Sequence, residues 1–197
     1  MYNSLISFGD VIGLDITIDP KQLIKEIERH DWVKYNKKKK NNRFGLSITS
    51  LNGELVGIDL DSLYEYNKEY SINIGETDCN KPTELFYKSK SLQTCLGDML
   101  PWLCRTHFLR LGPGGFFPTH RDHKFGVQNS FRIIVPIKNC KPPYSFFLLE
   151  NKLLDYLNYV PLAHAVVRVD KPNLQVTVLN LVHRGQKMLA SYYIFHH

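Results

Sequence analysis

An imidazole and a carboxylate stand two residues apart at His120-Arg121-Asp122, and on an extended strand such a pair projects to one side of the chain. A neutral imidazole with a carboxylate suits Fe(II) and leaves coordination positions open. Arg121, between them, is sent to the other face by the same alternation. The tripeptide follows Leu111-Gly112-Pro113-Gly114-Gly115-Phe116-Phe117-Pro118-Thr119, whose glycines and prolines predict a tight bend delivering the strand to the mouth of a β-structure. A His-x-Asp match alone is a weak signal in a chain with eight histidines; the preceding bend is what strengthens it.

The elements that must position this pair change character along the chain. Asp19-Pro20 predicts a helix start, with Asp19 as cap, Leu23, Ile24 and Ile27 on one face, and an end near His30. Lys37 to Lys40 and Asn41-Asn42 then read as a loop. Phe44, Leu46 and Ile48 alternate as in a half-buried strand over residues 44–50, and Asn52-Gly53 is a turn signal. Residues 60–68 read as helix or loop. A second helix is expected over residues 91–103, where Leu92, Cys95, Leu96, Met99 and Leu103 recur at helical spacing and pack into a core. Six strands are expected afterwards, at residues 106–111, 131–137, 144–149, 165–169, 176–182 and 188–195, each short, β-branched and bounded by turn residues. The class is mostly β with flanking helices, a jelly-roll or cupin-like sandwich in one domain over residues 1–197. Its helix-rich part is residues 1–104 and its jelly-roll core residues 105–197.

Length and composition fit that picture. A chain of 197 residues with 43% hydrophobic and 12% aromatic residues is globular and can bury a sizeable core. No stretch approaches the roughly 20 apolar residues that span a bilayer, and Met1-Tyr2-Asn3-Ser4-Leu5 lacks the zones of a signal peptide; a soluble cytoplasmic protein without membrane contact is the expectation. Cys79, Cys95, Cys104 and Cys140 form no Cys-x-x-Cys pair, so neither a zinc knuckle nor a redox motif is present and reduced thiols are expected. Much of the net charge of +6 sits in Lys37 to Lys40, a run that reads as a solvated loop. It carries no nucleic-acid reading motif, so nucleic acid is not the expected partner.

Gly114-Gly115-Phe116-Phe117-Pro118-Thr119-His120-Arg121-Asp122 followed by Ser130-Phe131-Arg132-Ile133-Ile134-Val135-Pro136-Ile137, with Asn42-Arg43-Phe44-Gly45-Leu46-Ser47, Leu100-Pro101-Trp102-Leu103 and Asn139-Cys140-Lys141-Pro142-Pro143, resembles the aspartyl/asparaginyl β-hydroxylase-like branch of the iron and 2-oxoglutarate-dependent oxygenases. The resemblance is closest to short bacterial and phage members. It implies a double-stranded β-helix, an Fe(II) ion, and 2-oxoglutarate as the cosubstrate that is decarboxylated. Carried over by position, His120 and Asp122 match two metal ligands, and Arg132 matches an arginine that helps hold the cosubstrate carboxylate. Arginine suits that task because its planar fork offers paired donors.

A third ligand is needed downstream, and three alternatives stand open. If Leu179-Asn180-Leu181-Val182-His183 is the matching segment, His183 completes the set and Arg184 or Lys187 takes the far carboxylate of 2-oxoglutarate. The same Arg184-Gly185-Gln186-Lys187 reads as a hairpin turn between the last two strands. If Val169-Asp170-Lys171-Pro172 is the family's turn, Gln175 stands at the ligand position, and an amide is a poor Fe(II) ligand. His164, opening an apolar strand, is the third alternative. His107 and His123 are pocket-facing or core histidines, and His196 and His197 carry no weight. The function implied is hydroxylation of an amino-acid, peptide or protein side chain, with a small-molecule or peptide substrate. The alternative is a catalytically degenerate member kept as a binding module.

Overall fold

In the computed structural model the described residues are 18–38, 42–57, 60–116, 130–140, 146–148, 165–167, 176–184 and 192–193. The first helix, α1 (Pro20–Ile27), begins as its sequence dictates: Asp19 is extended, and its carboxylate accepts from the backbone N–H of Lys21 and Gln22 at 2.9 and 3.3 Å. β1 (Val33–Lys34) pairs antiparallel with β2 (Arg43–Ser47). The strand expected over residues 44–50 breaks at Ile48, after which β3 (Thr49–Ser50) leaves for a separate pairing with β4 (Lys81–Pro82). It is also buried on both sides, with Leu46, Ser47, Ile48, Thr49 and Ser50 all inaccessible. Alternation of polar and apolar residues misled there, because buried hydroxyls take internal partners: Thr83 Oγ1 donates to the Ser47 carbonyl at 2.7 Å, and Thr49 Oγ1 accepts from the Thr106 N–H at 2.9 Å.

α2 (Leu63–Tyr70) starts on Ser62, whose hydroxyl accepts from Glu65 N–H, and ends in a left-handed Ser71 at φ 52°. The helix expected over residues 91–103 is α-helical only as far as Leu96. α3 (Glu84–Lys88) and α4 (Lys90–Leu96) are separated by Ser89, extended at ψ 108°, whose hydroxyl caps α4 by accepting from the Leu92 N–H at 3.1 Å. A 3-10 segment (Gly97–Trp102) containing Pro101 then tightens the chain, and Leu103 opens a strand instead of closing a helix.

β5 (Leu103–Leu111), β6 (Ser130–Lys138) and β9 (Val176–Arg184) are the long strands; β7 (Phe146–Leu148) and β8 (Ala165–Val167) form a two-stranded antiparallel pair, and β10 (Tyr192–Tyr193) is short. The main sheet has six strands in the order β1-β2-β5-β9-β6-β10. All its pairings are antiparallel except β6 with β10, which is parallel, Tyr192 opposite Ile133. β6 therefore lies between β9 and β10, so the two last strands do not form the hairpin that Arg184 to Lys187 suggested. The sheet also takes β1 and β2 from the first 104 residues, so the helix-rich part and the β core share one layer.

One face of the sheet carries the core. Leu46, Phe108 and Val135 occupy equivalent ladder positions and pack with Leu23 and Ile27 of α1, Leu85 and Phe86 of α3, and Leu92 and Leu96 of α4. At roughly 25 cal/mol per Å², each fully buried leucine there contributes on the order of 2 kcal/mol. Glu26 ties α1 to α4 across this layer, accepting from Ser89 Oγ at 2.5 Å, Gln22 Nε2 at 2.9 Å and Ser91 N–H at 3.3 Å. At the β1–β2 end the opposite face is covered by Leu60 and Tyr35. A Cβ on Gly45 would lie 2.8 Å from the Leu60 side chain and 3.3 Å from the Tyr35 ring, so glycine is what lets them close on the sheet.

Candidate functional site

The bend expected before His120 is present. Gly112 N–H donates to the Asn42 carbonyl at 3.0 Å, one step beyond the pairing of Arg43 with Leu111, so the β2–β5 ladder runs to its end at the bend. Gly115 N–H then donates to the Gly112 carbonyl at 2.8 Å, closing a four-residue turn with Pro113 and Gly114 in the middle. Gly114 has φ +69°, the value a type II turn requires at that place. Asn42 Nδ2 donates to the Pro113 carbonyl at 2.7 Å. The chain reverses here against Asn42, and His120, Asp122 and His123 lie beyond it, outside the described residues, as do His164, Gln175 and Lys187.

Arg132, His183 and Arg184 fall on described strands. Directly opposed residues of an antiparallel ladder share a face, and successive residues alternate. His183 is opposite Leu103 on one side and Phe131 on the other, and Leu103 belongs to the helix-packed core. Arg132 is opposite Val182, one step away, on the other face. The register therefore does not bring positions 183 and 132 to one side of the sheet. Arg184 is the last residue of β9, opposite Ser130, and shares the parity of position 132. His107 is opposite Asn180 and Ser47, so positions 107, 180 and 132 lie on the face away from the helices.

On that face the described side chains form a buried polar group that the sequence did not announce. Arg105 sits at a bulge, where three steps of β5 from Cys104 to His107 match two of β9 from Val182 to Asn180, and its φ of 31° is left-handed. The bulge turns its guanidinium toward Glu76, at 2.5 Å, and the Asp61 carbonyl, at 3.0 Å. Burial works against the charge of Arg105, but Tyr35, the Glu76 carboxylate and Cys79 outweigh it and hold the guanidinium protonated. The Arg105 carbonyl bonds His107 Nδ1 at 3.1 Å, which makes Nδ1 the protonated nitrogen, since a carbonyl only accepts. His107 is 1% exposed and stacks on Tyr35 with ring centroids 5.5 Å apart; Arg43 in turn lies 5.3 Å from the Tyr35 centroid. His107 is thus a packed, hydrogen-bonded histidine on the face of position 132. The one sequence signal for the group is the break in alternation at Cys104-Arg105-Thr106, which the expectation of a strand beginning at Thr106 simply left out.

Among the described residues, no three His, Cys, Asp or Glu side chains gather as a metal site. Burial pushes the Cys95 thiol up to about 11, so it is not a thiolate nucleophile at neutral pH. No helix of the described residues is long and apolar enough to cross a membrane. In comparisons with known proteins, no family model and no curated sequence matches the chain.

Proposed function

We propose that this chain is an Fe(II)- and 2-oxoglutarate-dependent hydroxylase acting on an amino-acid, peptide or protein side chain, with His120 and Asp122 as metal ligands and Arg132 as the cosubstrate's carboxylate anchor. The observation that carries the reading is one continuous arrangement. A glycine turn closes β5, His120-Arg121-Asp122 follows it, and β6 returns with position 132 on the sheet face that the core helices do not occupy. The fold proposed around it is the double-stranded β-helix, with the helix-backed sheet as one layer and the β7–β8 pair as part of the second. Cys79, Cys95, Cys104 and Cys140 are thiols, which agrees with a cytoplasmic location.

The donor set fits the metal chemically: imidazole and carboxylate together suit Fe(II) and leave room for a bidentate keto acid. Iron, when bound, would supply the oxygen chemistry. The chain's own contribution is to orient the cosubstrate through Arg132, with Arg184 or Lys187 for its far carboxylate, and to keep water from the reacting C–H bond. The third ligand is His183 or His164: position 183 stands opposite Leu103 and Phe131, which counts against His183, and His164 lies outside the described residues.

Anaerobic titration with Fe(II) and 2-oxoglutarate, followed by visible absorbance, tests this. The expected result is a charge-transfer band in the wild type, lost in His120→Ala and in one of His183→Ala and His164→Ala, which identifies the third ligand, and kept in Gln175→Ala. A wild type without the band sinks the enzyme reading. The second reading, a degenerate binding module, is favoured by Gln175 at the position an alternative alignment gives to the ligand; it predicts that a carboxylate ligand raises the melting temperature without iron.

A further inference from the structure

We propose that Arg110 and Lys138, with Lys34 at the rim, form a site for a phosphate-type dianion on the helix-packed side of the main sheet, closed in this structure by the Glu28 carboxylate. The sheet register assembles it. Lys34 is opposite Phe44, Phe44 opposite Arg110, Arg110 opposite Thr177 and Thr177 opposite Lys138, so three cations stand in one row across β1, β2, β5, β9 and β6. Simple alternation would not put Lys138 there, because its neighbour Ile137 already packs in the helix-covered core. An extra residue between Pro136 and Lys138, matched by the single step of β9 from Val178 to Thr177, brings Lys138 to the same side. Its Nζ lies 3.7 Å from Glu28 Oε1, the same oxygen that is 2.8 Å from Arg110 Nη2.

The floor of the site holds donors without acceptors. Arg110 is 7% exposed, and its guanidinium carbon lies 3.5 Å from the centre of the Trp32 ring. Nη2, though near Glu28, is off the line of a hydrogen bond to it; Nη2, Nε and Trp32 Nε1 are buried with no acceptor among the described residues. A network that served only to pin α1 to the sheet would lay the carboxylate along the arginine fork, two N–H groups to two oxygens. Here one oxygen of Glu28 meets both cations. Burial draws the Arg110 pKa below its usual value despite the opposing pull of Glu28, so the buried charge is only partly compensated. Glu28 is the C-cap residue of α1 and its side chain is 38% exposed, so it can swing into water and leave Arg110 and Lys138 to a ligand. A carboxylate would merely replace it charge for charge, whereas a phosphate monoester, with about two negative charges and three acceptor oxygens, suits two cations and the unfilled donors.

The site uses no metal and none of the residues assigned to iron or 2-oxoglutarate, so it stands or falls apart from that reading. Isothermal titration calorimetry of the full chain with inorganic phosphate, and with chloride at equal ionic strength, is run on the wild type, Glu28→Gln, Lys138→Gln and Arg110→Gln. Lys88→Gln, which breaks an exposed pair with Glu84, is the control. We expect phosphate to bind the wild type, to bind Glu28→Gln about 10-fold more tightly and Lys138→Gln about 10-fold more weakly, and to show no binding to Arg110→Gln; Lys88→Gln should match the wild type. O-phosphoserine as a second titrant separates the sources of the ligand: tighter binding than inorganic phosphate assigns a phosphorylated side chain, and equal or weaker binding assigns free phosphate. Absence of phosphate binding in both the wild type and Glu28→Gln overturns the site. An equal response to chloride overturns it too, as does a loss in Lys88→Gln equal to that in Lys138→Gln, because net charge then explains the effect. A Glu28→Gln that binds no more tightly than the wild type overturns Glu28 as the closing group. Should Arg110→Gln not fold, Glu28→Gln and Lys138→Gln decide.

Discussion

At the scale of single residues, two buried carboxylates do opposite kinds of work. Glu26, 9% exposed, is opposed by its burial, but hydrogen bonds from Ser89, Gln22 and Ser91 more than offset this and draw its carboxyl below the usual 4.5. A group whose folded pKa is depressed stabilises the protein above the unfolded value and loses that contribution as pH falls through the folded one. Stability should therefore drop below about pH 4.5 in the wild type, and Glu26→Gln should flatten that drop while costing about 2 kcal/mol at neutral pH. Chemical denaturation across pH 3 to 7 would check both. Glu26 was legible only as a polar position on α1, because a partner 63 residues away supplies its shortest bond.

Glu76 instead neutralises a charge that cannot leave. Arg105 is nearly enclosed, its guanidinium held between Glu76 and the Asp61 carbonyl. Removing the carboxylate strands a buried cation, and Glu76→Ala should cost about 3–5 kcal/mol, measurable as a shift of the urea midpoint. If Arg105→Met, Glu76→Leu together recovers most of that loss, the pair serves to hold the bulge shape and adds little net stability, in line with apolar replacement of buried ion pairs.

At the scale of elements, what the sequence disclosed depended on whether local chemistry decided the outcome. α1 was readable from Asp19-Pro20 and its apolar spacing because cap and face are local. The Gly112-Pro113-Gly114-Gly115 turn was readable for the same reason: proline presets one dihedral and glycine permits the positive one. The stretch over residues 91–103 was not, since helical spacing continues through Met99 and Leu103 while the backbone passes from α4 into a 3-10 segment at Gly97 and into a strand at Leu103. A periodic pattern reports burial, and a short helix, a 3-10 turn and a strand end packed on one core bury the same residues as one long helix.

The break at Ile48 was hidden for a different reason. Ile48 N–H bonds the Thr106 carbonyl and its own carbonyl receives Thr83 N–H, so the chain passes from one sheet to another without any exposed turn residue. The candidate site shows the same division. His120 and Asp122 were read from residue type and spacing and Arg132 from the family resemblance, whereas the separation of positions 132 and 183 follows only from pairing between strands about 50 residues apart, which no local signal encodes.

For the molecule as a whole, the sheet order has a consequence for how the fold can be made. β9 is the partner of both β5 and β6, yet it is translated after both of them and after β7 and β8. Until residue 184 is available, β5 and β6 have no partner joining them, and each presents an open row of backbone donors and acceptors. The central stitch arrives after both strands it joins. Refolding should accordingly be slow, in the millisecond-to-second range of domains dominated by distant pairings, and stopped-flow fluorescence of Trp32, which packs beside Phe108 on β5, would register it. During synthesis the same order asks the nascent chain to wait, with β5 and β6 unzipped, until β9 has been made; a chaperone that shelters β5 and β6 in that interval would raise the yield of folded protein more than it would for a fold closed from the front.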